Sequence, residues 1–196
     1  MGRRSDHSRA ELHELILQAG EAHLAESGFA AFSAREVAKR IGYSIGTLYN
    51  LFGSYDRLML AISTRTLRLW TAALEARLAA AGEDRIGALV NGYFDFAEAN
   101  RNRWMALYDH RMPPGEEGSE EFDEAFGALI GLIEREIAGV LGLPVDAVTQ
   151  ALTGSLVAIV HGHCTFALNG TYKTFGGDPR AAALALIRAA LTVAHY

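Results

Sequence analysis

Residues 34–53 carry the residue types that a helix-turn-helix needs where its geometry restricts the choice of side chain. Ala38 is small enough for the inward position of the first helix, where the two helices cross at close range. Gly42, four residues later, can adopt the positive φ of the turn, and Leu48 places an apolar side chain in the crossing. The spacing of these residues therefore predicts a helix-turn-helix.

Capping residues mark the ends of both short helices. Ser33 and Glu36 form a predicted capping box, in which the Ser33 hydroxyl accepts the Glu36 amide and the Glu36 carboxylate reaches back. Ser44 is the predicted N-cap of the second helix, which ends before Gly53. These signals favour a helix-turn-helix over the alternative, a helical hairpin that serves packing alone. Three residues of this segment are interpreted as packing in its core: Tyr43, Leu48 and Phe52.

The rest of the chain offers little other chemistry, and neither a metal nor a cofactor is expected. His161 and His163 are two positions apart, which on a helix is a rotation of about 200°, so their rings point apart. The single cysteine, Cys164, is interpreted as a buried, inert thiol, with a redox role as the alternative. No serine–histidine–aspartate order, paired-carboxylate pocket or phosphate loop is found, and the acidic run at 116–124 is interpreted as a solvated loop and helix start.

Helical signals recur along the whole chain, so an all-α fold of about nine helices is predicted. There are only four prolines, and the β-branched residues are scattered singly instead of forming alternating runs. Predicted helices cover about 8–27, 34–41, 45–52, 55–81, 84–99, a short one around 104–108, and 144–169. Two more begin after Ser119 and at Pro179, and loops are predicted at 113–118 and 170–177.

The composition of the 196 residues, 50% hydrophobic and 21% charged, predicts one or two cored domains. The net charge of −5 is uneven, since residues 1–65 hold 8 basic and 7 acidic side chains and the rest hold 10 and 16. The acidity therefore does not exclude DNA. A segment near neutrality must instead bind DNA through placed contacts and helix dipoles.

A cytoplasmic location is expected, because the polar N-terminus lacks the apolar core of a secretion signal and a single cysteine fits a reducing compartment. Residues 151–168 come nearest to a membrane span. Polar residues interrupt this stretch and basic flanks are missing, so it is interpreted as a buried helix and no membrane partner is expected.

Residues 28–62 closely resemble the DNA-binding domain of tetracycline-repressor (TetR) family transcriptional regulators. The resemblance implies a DNA-binding domain at residues 1–54 and a helical ligand-binding and dimerisation domain at 55–196, with helix four linking them in a homodimer. The matching residues are Gly28, Phe29, Ser33, Val37, Ala38, Gly42, Tyr43, Ser44, Gly46, Thr47, Leu48, Tyr49, Phe52 and Leu58.

The resemblance also implies that residues 45–52 form the recognition helix. Thr47 and Asn50 would read bases, since asparagine can pair bidentately with adenine. Gly46 would let the helix N-terminus approach the DNA closely, and Tyr49 resembles the phosphate-contacting tyrosine of the family. The implied DNA-contacting residues are Ser33, Arg35, Ser44, Gly46, Thr47, Tyr49, Asn50 and Tyr55.

Tyr55 departs from the family pattern, which usually has a phosphate-contacting lysine there. A neutral hydroxyl can donate a hydrogen bond but releases no counterion, so the salt dependence of DNA binding should be shallower by roughly one unit. Arg3, Arg4 and Arg9 could compensate, and an N-terminal arm carrying Arg3 and Arg4 is expected to follow the DNA, for example in the minor groove.

Residues 84–196 resemble a TetR-family C-terminal domain type that is marked by a Trp-His-Gly box. Here the box occupies 157–162, with Val157 at the usual tryptophan position and His161 and Gly162 in place. The segment 96–108 also fits this type, although Arg101 replaces a usual proline.

Small residues along one side of the helix at 144–169 and of the final helix would let other helices approach closely. We expect a symmetric four-helix dimer interface, since operator half-sites about 34–36 Å apart require a two-fold protein. Packing within one subunit is the alternative. The predicted interface residues are Gly154, Ala158, Gly162, Thr165, Ala182, Leu186, Ala189 and Val193.

A ligand pocket is expected among aromatic and polar side chains of the C-terminal helices, each of which could singly be a core residue. As a set they suggest a mostly apolar small molecule with one or two polar anchors. The predicted pocket residues are Tyr93, Trp104, Tyr108, Phe126 and His161.

The sequence thus predicts a dimeric, ligand-responsive transcriptional regulator, usually a repressor, that leaves a palindromic double-stranded DNA operator when a small molecule binds. Two other classes remain open: a helical small-molecule-binding protein or enzyme without a role on DNA, and a helical scaffold that has lost DNA binding.

Overall fold

The computed structural model describes residues 7–115 and 118–194. These residues form nine α-helices and two short 3-10 turns, without a strand, which confirms the predicted all-α class. The helices are α1 (Arg9–Ser27), α2 (Ala34–Arg40), α3 (Ile45–Phe52), α4 (Tyr55–Ala79), α5 (Arg85–Ala99), α6 (Arg101–Asp109), α7 (Glu120–Leu141), α8 (Ala147–Leu168) and α9 (Pro179–Ala194).

Several helix ends differ from the prediction because capping side chains place them. Ser8 precedes α1 as its N-cap, and Ser8 and Glu11 form a capping box that the sequence analysis missed. The helix expected from residue 144 begins at Ala147, after Asp146, whose carboxylate accepts two amides of the first turn. The loop predicted at 170–177 contains a 3-10 turn, Thr171–Thr174.

The described residues divide into two compact units. The first unit contains the residues up to Thr66 together with Asn102–Glu124, and the second contains Leu67–Arg101 and the residues from Ala125 onward. This division differs from the boundary expected at residue 54. The reason is that the first turns of α4 and part of α6 pack into the N-terminal core, where Leu58 and Ala106 are fully buried.

The first unit has its core around the crossing of α2 and α3. Ala38 and Leu48 are buried there, as the spacing predicted, and Val37 lies beside them. Gly42 has a φ of +76°, and the Tyr43 amide donates to the Ala38 carbonyl at 2.9 Å, which closes α2. The sequence pattern therefore reflects a real turn geometry.

The second unit is built on α5, whose buried residues include Ile86, Tyr93, Phe94 and Phe96. Helices α8 and α9 pack against it and against each other.

Helix α8 is less buried than the sequence analysis expected. Leu156, Val160 and Cys164 are buried, whereas Gly154 and Ala158 are exposed. Among the described residues, α8 is the one helix that is long and apolar enough to cross a membrane, judged by length and composition alone. Only 22% of its 18-residue apolar window is buried. One face of α8 packs against α5 and α9, and the opposite face is uncovered. We attribute the apolar composition of α8 to these two faces together.

Candidate DNA interface and ligand cavity

Helix α3 presents short polar side chains around its N-terminus. The Ser44 hydroxyl accepts the Thr47 amide at 3.2 Å, and the two side-chain oxygens are 3.0 Å apart. Ser44, Gly46 and Asn50 are exposed, and Thr47 and Tyr49 are half-buried. Of the predicted DNA-contacting residues, Gly46, Thr47, Tyr49 and Asn50 therefore lie together on one accessible helix.

Gly46 is not required by packing inside the chain. A Cβ atom built there would meet only the Ser44 Oγ, at 3.6 Å, which is an ordinary contact. A glycine that its own fold does not need, exposed in the first turn of a helix, fits a position where another molecule comes close to the backbone.

The start of α2 is capped differently from the prediction. The Ser33 hydroxyl does accept the Glu36 amide, at 3.3 Å. However, the Ser33 amide donates to Nε2 of the buried His23 at 3.2 Å, and the Glu36 carboxylate lies 3.7 Å from Lys39 Nζ. The predicted capping box is thus wrong in its second half, because an imidazole from α1 replaces the carboxylate.

Positive charge near this surface is limited. Arg40 is engaged with Glu26 at 2.7 Å, and Lys39 lies close to Glu36. Arg35 is exposed, and the ion pairs found within the described residues do not include it. Arg35 therefore remains a candidate for the phosphate contact that the resemblance implied.

Tyr55 belongs partly to the core. Its ring lies 5.9 Å from that of Phe32 and is half-buried against the core of the first unit. Burial, and secondarily the charge of Asp56, raises the pKa of the Tyr55 hydroxyl. The tyrosine at the position of the family's lysine is thus half-buried by packing against the core.

Two histidines of the N-terminal segment contact the helix-turn-helix, and the sequence analysis did not anticipate them. His7 Nδ1 lies 2.8 Å from the Tyr43 hydroxyl, and the exposed His13 stacks on Phe52 with 4.6 Å between ring centroids. Tyr43 and Phe52 had been interpreted as core residues. Arg3 and Arg4, predicted to follow the DNA, lie outside the described residues.

The second unit contains an apolar cavity. Its volume is ≈ 40 Å³, and the empty space in and around it, open solvent included, amounts to ≈ 420 Å³. Tyr93 is the one lining residue with a polar side chain among those described, and the others are aliphatic: Leu74, Ile86, Leu89, Val90, Ile133, Ile137, Leu156, Val157, Val160 and Ile187.

A short polar chain lies at the Tyr93 side of this cavity. The Tyr93 hydroxyl is 2.9 Å from His161 Nδ1, and His161 Nε2 is 3.3 Å from the Thr165 hydroxyl. Burial lowers the pKa of His161, so its neutral form is favoured.

Of the predicted pocket residues, Tyr93 lines the cavity, and His161 is hydrogen-bonded to Tyr93. Trp104 and Tyr108 belong to the first unit, where the fully buried Trp104 packs against Tyr108 with 5.0 Å between ring centroids. Phe126 is 48% exposed on α7. These three residues do not line this cavity, whose wall is formed by aliphatic residues that in the sequence look like ordinary core.

The predicted interface residues form accessible faces on α8 and α9. Gly154, Ala158, Leu186, Ala189 and Val193 are exposed, and the other three (Gly162, Thr165 and Ala182) are half-buried. A Cβ atom at Gly154 or Gly162 would meet nothing within 4 Å, so packing inside the subunit does not require a glycine there.

Two family models match the chain. The model of bacterial regulatory proteins of the tetR family matches residues 16–62, and that of a tetracyclin repressor-like C-terminal domain matches residues 86–190, more than half of the chain. Among curated protein sequences, none matches the chain.

Solved structures share the fold across almost the entire chain. A protein of unknown function from Rhodococcus sp. RHA1 is 23% identical, with a TM-score of 0.75 and 98% of each chain covered. The regulator FadR from Bacillus subtilis, in complex with stearoyl-CoA, is 12% identical, with a TM-score of 0.66 and coverage of 89% of this chain and 97% of its own. The multidrug binding protein EbrR, complexed with imidazole, is 18% identical, with a TM-score of 0.62 and coverage of 93% and 94%.

Proposed function

We propose, from the premise that this chain belongs to the TetR family of bacterial regulatory proteins, that it is a cytoplasmic homodimeric repressor released from a palindromic operator by a small molecule. Membership in the family makes it a ligand-responsive DNA-binding transcriptional regulator and not an enzyme. The observation that carries the proposal is the exposed, glycine-containing N-terminal turn of α3 on a helix-turn-helix whose core matches the required geometry.

In this proposal α3 enters the major groove of each half-site. Thr47 and Asn50 read base edges, and the N-terminus of α3 approaches the DNA at Gly46. Tyr49, Ser33, Ser44 and Arg35 contact the phosphate backbone, and Tyr55 adds a hydrogen bond without a charge. The His7–Tyr43 contact supports an arm that leaves α1 beside the turn of the helix-turn-helix and carries Arg3 and Arg4 to the DNA.

The uncovered faces of α8 and α9 support a dimer in which these helices form a four-helix bundle with their partner copies. Apolar exposure is unusually large there, with Leu186 51% and Val193 76% exposed. Open space around the Cβ positions of Gly154 and Gly162 argues against the alternative of packing within one subunit.

The cavity of the second unit is the proposed effector site. FadR and EbrR, which share the fold, were each solved with a small molecule bound. Leu74 of α4 lines the cavity, and the same helix begins at Tyr55 in the first unit. We infer that an effector favours a conformation with a different tilt of α4, which separates the two recognition helices from the groove spacing.

Selection of bound fragments from the source organism's genomic DNA tests the DNA-binding role. The enriched sequence should contain an inverted repeat. Asn50→Ala should weaken binding to it by about 5- to 150-fold, equivalent to about 1–3 kcal/mol for a bidentate contact, and Thr47→Ala should cause a smaller loss because it removes a single hydroxyl. Tyr49→Phe should weaken specific and non-specific binding alike.

Thr192→Ala, at an exposed threonine of α9, is the matched control and should leave operator binding unchanged. DNA retention that survives Thr47→Ala, Asn50→Ala and Tyr49→Ala together would contradict the proposed interface. Absence of DNA retention even at low salt would favour the helical ligand-binding alternative.

A further inference from the structure

The lining of the cavity in the second unit specifies the chemical class of its ligand. We propose that this site takes an uncharged, predominantly aliphatic molecule carrying one hydrogen-bond acceptor oxygen, such as an alcohol, ketone or ester. This inference rests on the proposed function only in taking the cavity as the effector site.

The exclusion of charge follows from the wall. None of the described residues that line the cavity is ionisable except Tyr93, and ten of the lining side chains are aliphatic. A carboxylate or ammonium group entering such a site would lose its hydration without gaining an opposite charge. An aliphatic chain, in contrast, gains free energy in proportion to the apolar area that it buries.

Several charged side chains of the second unit are already paired with each other. Asp95 contacts Arg77 and lies 2.5 Å from Arg180, which also reaches Glu98 at 3.1 Å. Burial alone would raise the pKa of Asp95, but the two arginines outweigh it and lower the pKa, so this carboxylate stays ionised. Recruiting any of these groups to a charged ligand would break an existing ion pair.

The preference for an acceptor oxygen comes from the buried polar groups on this side of the unit. Trp70 is 2% exposed, and its ring meets that of Tyr93 edge-on with 4.8 Å between centroids. The indole Nε1, which can only donate, has no hydrogen-bond partner among the described residues. A buried donor left unpaired costs about 1–3 kcal/mol. Trp70 itself does not line the cavity, so the polar group that a ligand oxygen meets there is the Tyr93 hydroxyl.

The Tyr93–His161–Thr165 chain provides the polar contact of the cavity. Its hydroxyl and imidazole groups can exchange donor and acceptor roles while the imidazole stays neutral. A ligand oxygen can therefore join the chain at Tyr93 without requiring a proton to be added or removed.

Tryptophan fluorescence gives a direct test, because the chain has two tryptophans and one of them, Trp70, touches a cavity-lining residue. A Trp104→Phe variant leaves Trp70 as the only source of the signal. The probes are 1-octanol, octanoate and octylammonium at pH 7, which share one chain length and differ in charge. We expect 1-octanol to change Trp70 emission with at least 10-fold higher affinity than either ion. Thermal stabilisation of the unmodified protein by the same probes gives a second readout if the variant folds poorly.

Variants locate the binding and the polar contact. Val157→Phe should fill the cavity and abolish the response without adding a second tryptophan, and Tyr93→Phe should weaken 1-octanol binding about 5-fold, the effect of one neutral hydrogen bond. Toluene, which lacks the oxygen, should bind the wild type and Tyr93→Phe equally, and Tyr172→Phe should behave like the wild type.

Tighter binding of either ion, an unchanged affinity of Tyr93→Phe for 1-octanol, or no binding of any probe would overturn the inferred ligand class. The operator measurements are made without any probe, so they decide the proposed function separately.

Discussion

Tyr55 packs in the core and also stands at the position of the family's phosphate-contacting lysine. Its ring packs on Phe32 inside the first unit, whereas a lysine at the same position would send its charge towards a phosphate. The missing charge leaves Arg35 as the exposed cation of α2 that is outside the described ion pairs. The operator affinity of this protein should therefore depend more on hydrogen bonds and less on counterion release.

Tyr55→Lys should restore the electrostatic contact. The slope of log K against log [salt] for operator binding should steepen by about 0.9 for each half-site, the value for one released counterion. The substitution should also lower the melting temperature, because it removes a half-buried ring. Fluorescence anisotropy between 50 and 300 mM salt measures the slope. Tyr172→Lys, which adds the same charge to the second unit, should not change it, and an unchanged slope in Tyr55→Lys would remove Tyr55 from the interface.

Cys164 should be chemically inert in the folded protein. Burial, and secondarily Glu98, raises the pKa of this fully buried thiol to about 12. At pH 8 the reactive thiolate is then only about one part in 10⁴, against a substantial fraction for a free cysteine of pKa near 8.5. A disulfide-exchange reagent at pH 8 should label Cys164 only as fast as the protein unfolds. Rapid labelling of the native state would reopen the redox alternative.

At the residue scale, the spacing of residues predicted the positions that backbone geometry restricts. It did not predict contacts between side chains on different elements. Ala38, Gly42 and Leu48 were predictable because only a few residue types fit a close crossing and a positive φ. His23 could not be assigned as the second partner at Ser33, because that contact joins residues ten positions apart on different elements. Tyr93 could be selected as a polar group in an apolar segment, but nothing in its neighbours indicated His161 as its partner.

Helix α2 depends on a neutral imidazole at its start, which links the element to pH. Burial, and then the charge of Arg40, lowers the pKa of His23, and the neutral ring accepts the Ser33 amide. Above pH 6.5 neither the folded nor the unfolded chain binds a proton at this site. Below pH 6.5 the unfolded chain takes up a proton that the folded state resists, so the free energy of unfolding falls as the pH falls.

The wild type should therefore lose up to about 1.4 kcal/mol per pH unit through His23 just below pH 6.5, until the lowered folded-state pKa is reached. His23→Gln should remove this part of the loss, since an amide does not titrate. Urea unfolding at pH 7.5 and 5.5 compares the two proteins. His161 has a lowered pKa too and contributes equally to both. His13→Gln, at an exposed histidine, should keep the acid sensitivity of the wild type, and equal sensitivity in His23→Gln would contradict the role assigned to the ring.

At the element scale, the number and type of helices could be predicted from apolar periodicity and caps. Which face of each helix is buried could not. Helix α8 was expected to be buried because its long apolar stretch is interrupted by polar residues and lacks the basic flanks of a membrane span. Its burial is instead confined to the side of Leu156, Val160 and Cys164. A sequence does not distinguish an apolar face that meets its own core from one that is left for another chain, because both exclude charge. The cavity wall was missed for the same reason, since its aliphatic residues have the pattern of a filled core.

For the whole molecule, the decisive question is whether the uncovered faces of α8 and α9 join two copies. Gly154→Trp and Gly162→Trp place a large side chain where the subunit itself has open space around the Cβ position. Each variant should therefore fold as a subunit but clash with a partner helix packed closely on this face. The mass measured by light scattering should fall from twice the 21.2 kDa of one chain to a single chain.

Loss of the dimer should also lower operator affinity by about 10²- to 10⁴-fold, because binding of the second half-site is no longer intramolecular. Gly139→Trp is the matched control, since this exposed glycine of α7 also has open space around its Cβ position but lies outside the proposed interface. It should remain a dimer with unchanged operator affinity. Dimers that persist in both Gly154→Trp and Gly162→Trp would place the interface elsewhere. Monomers that still bind the full operator as tightly as the wild type would instead show that the two half-sites are not read by one paired protein.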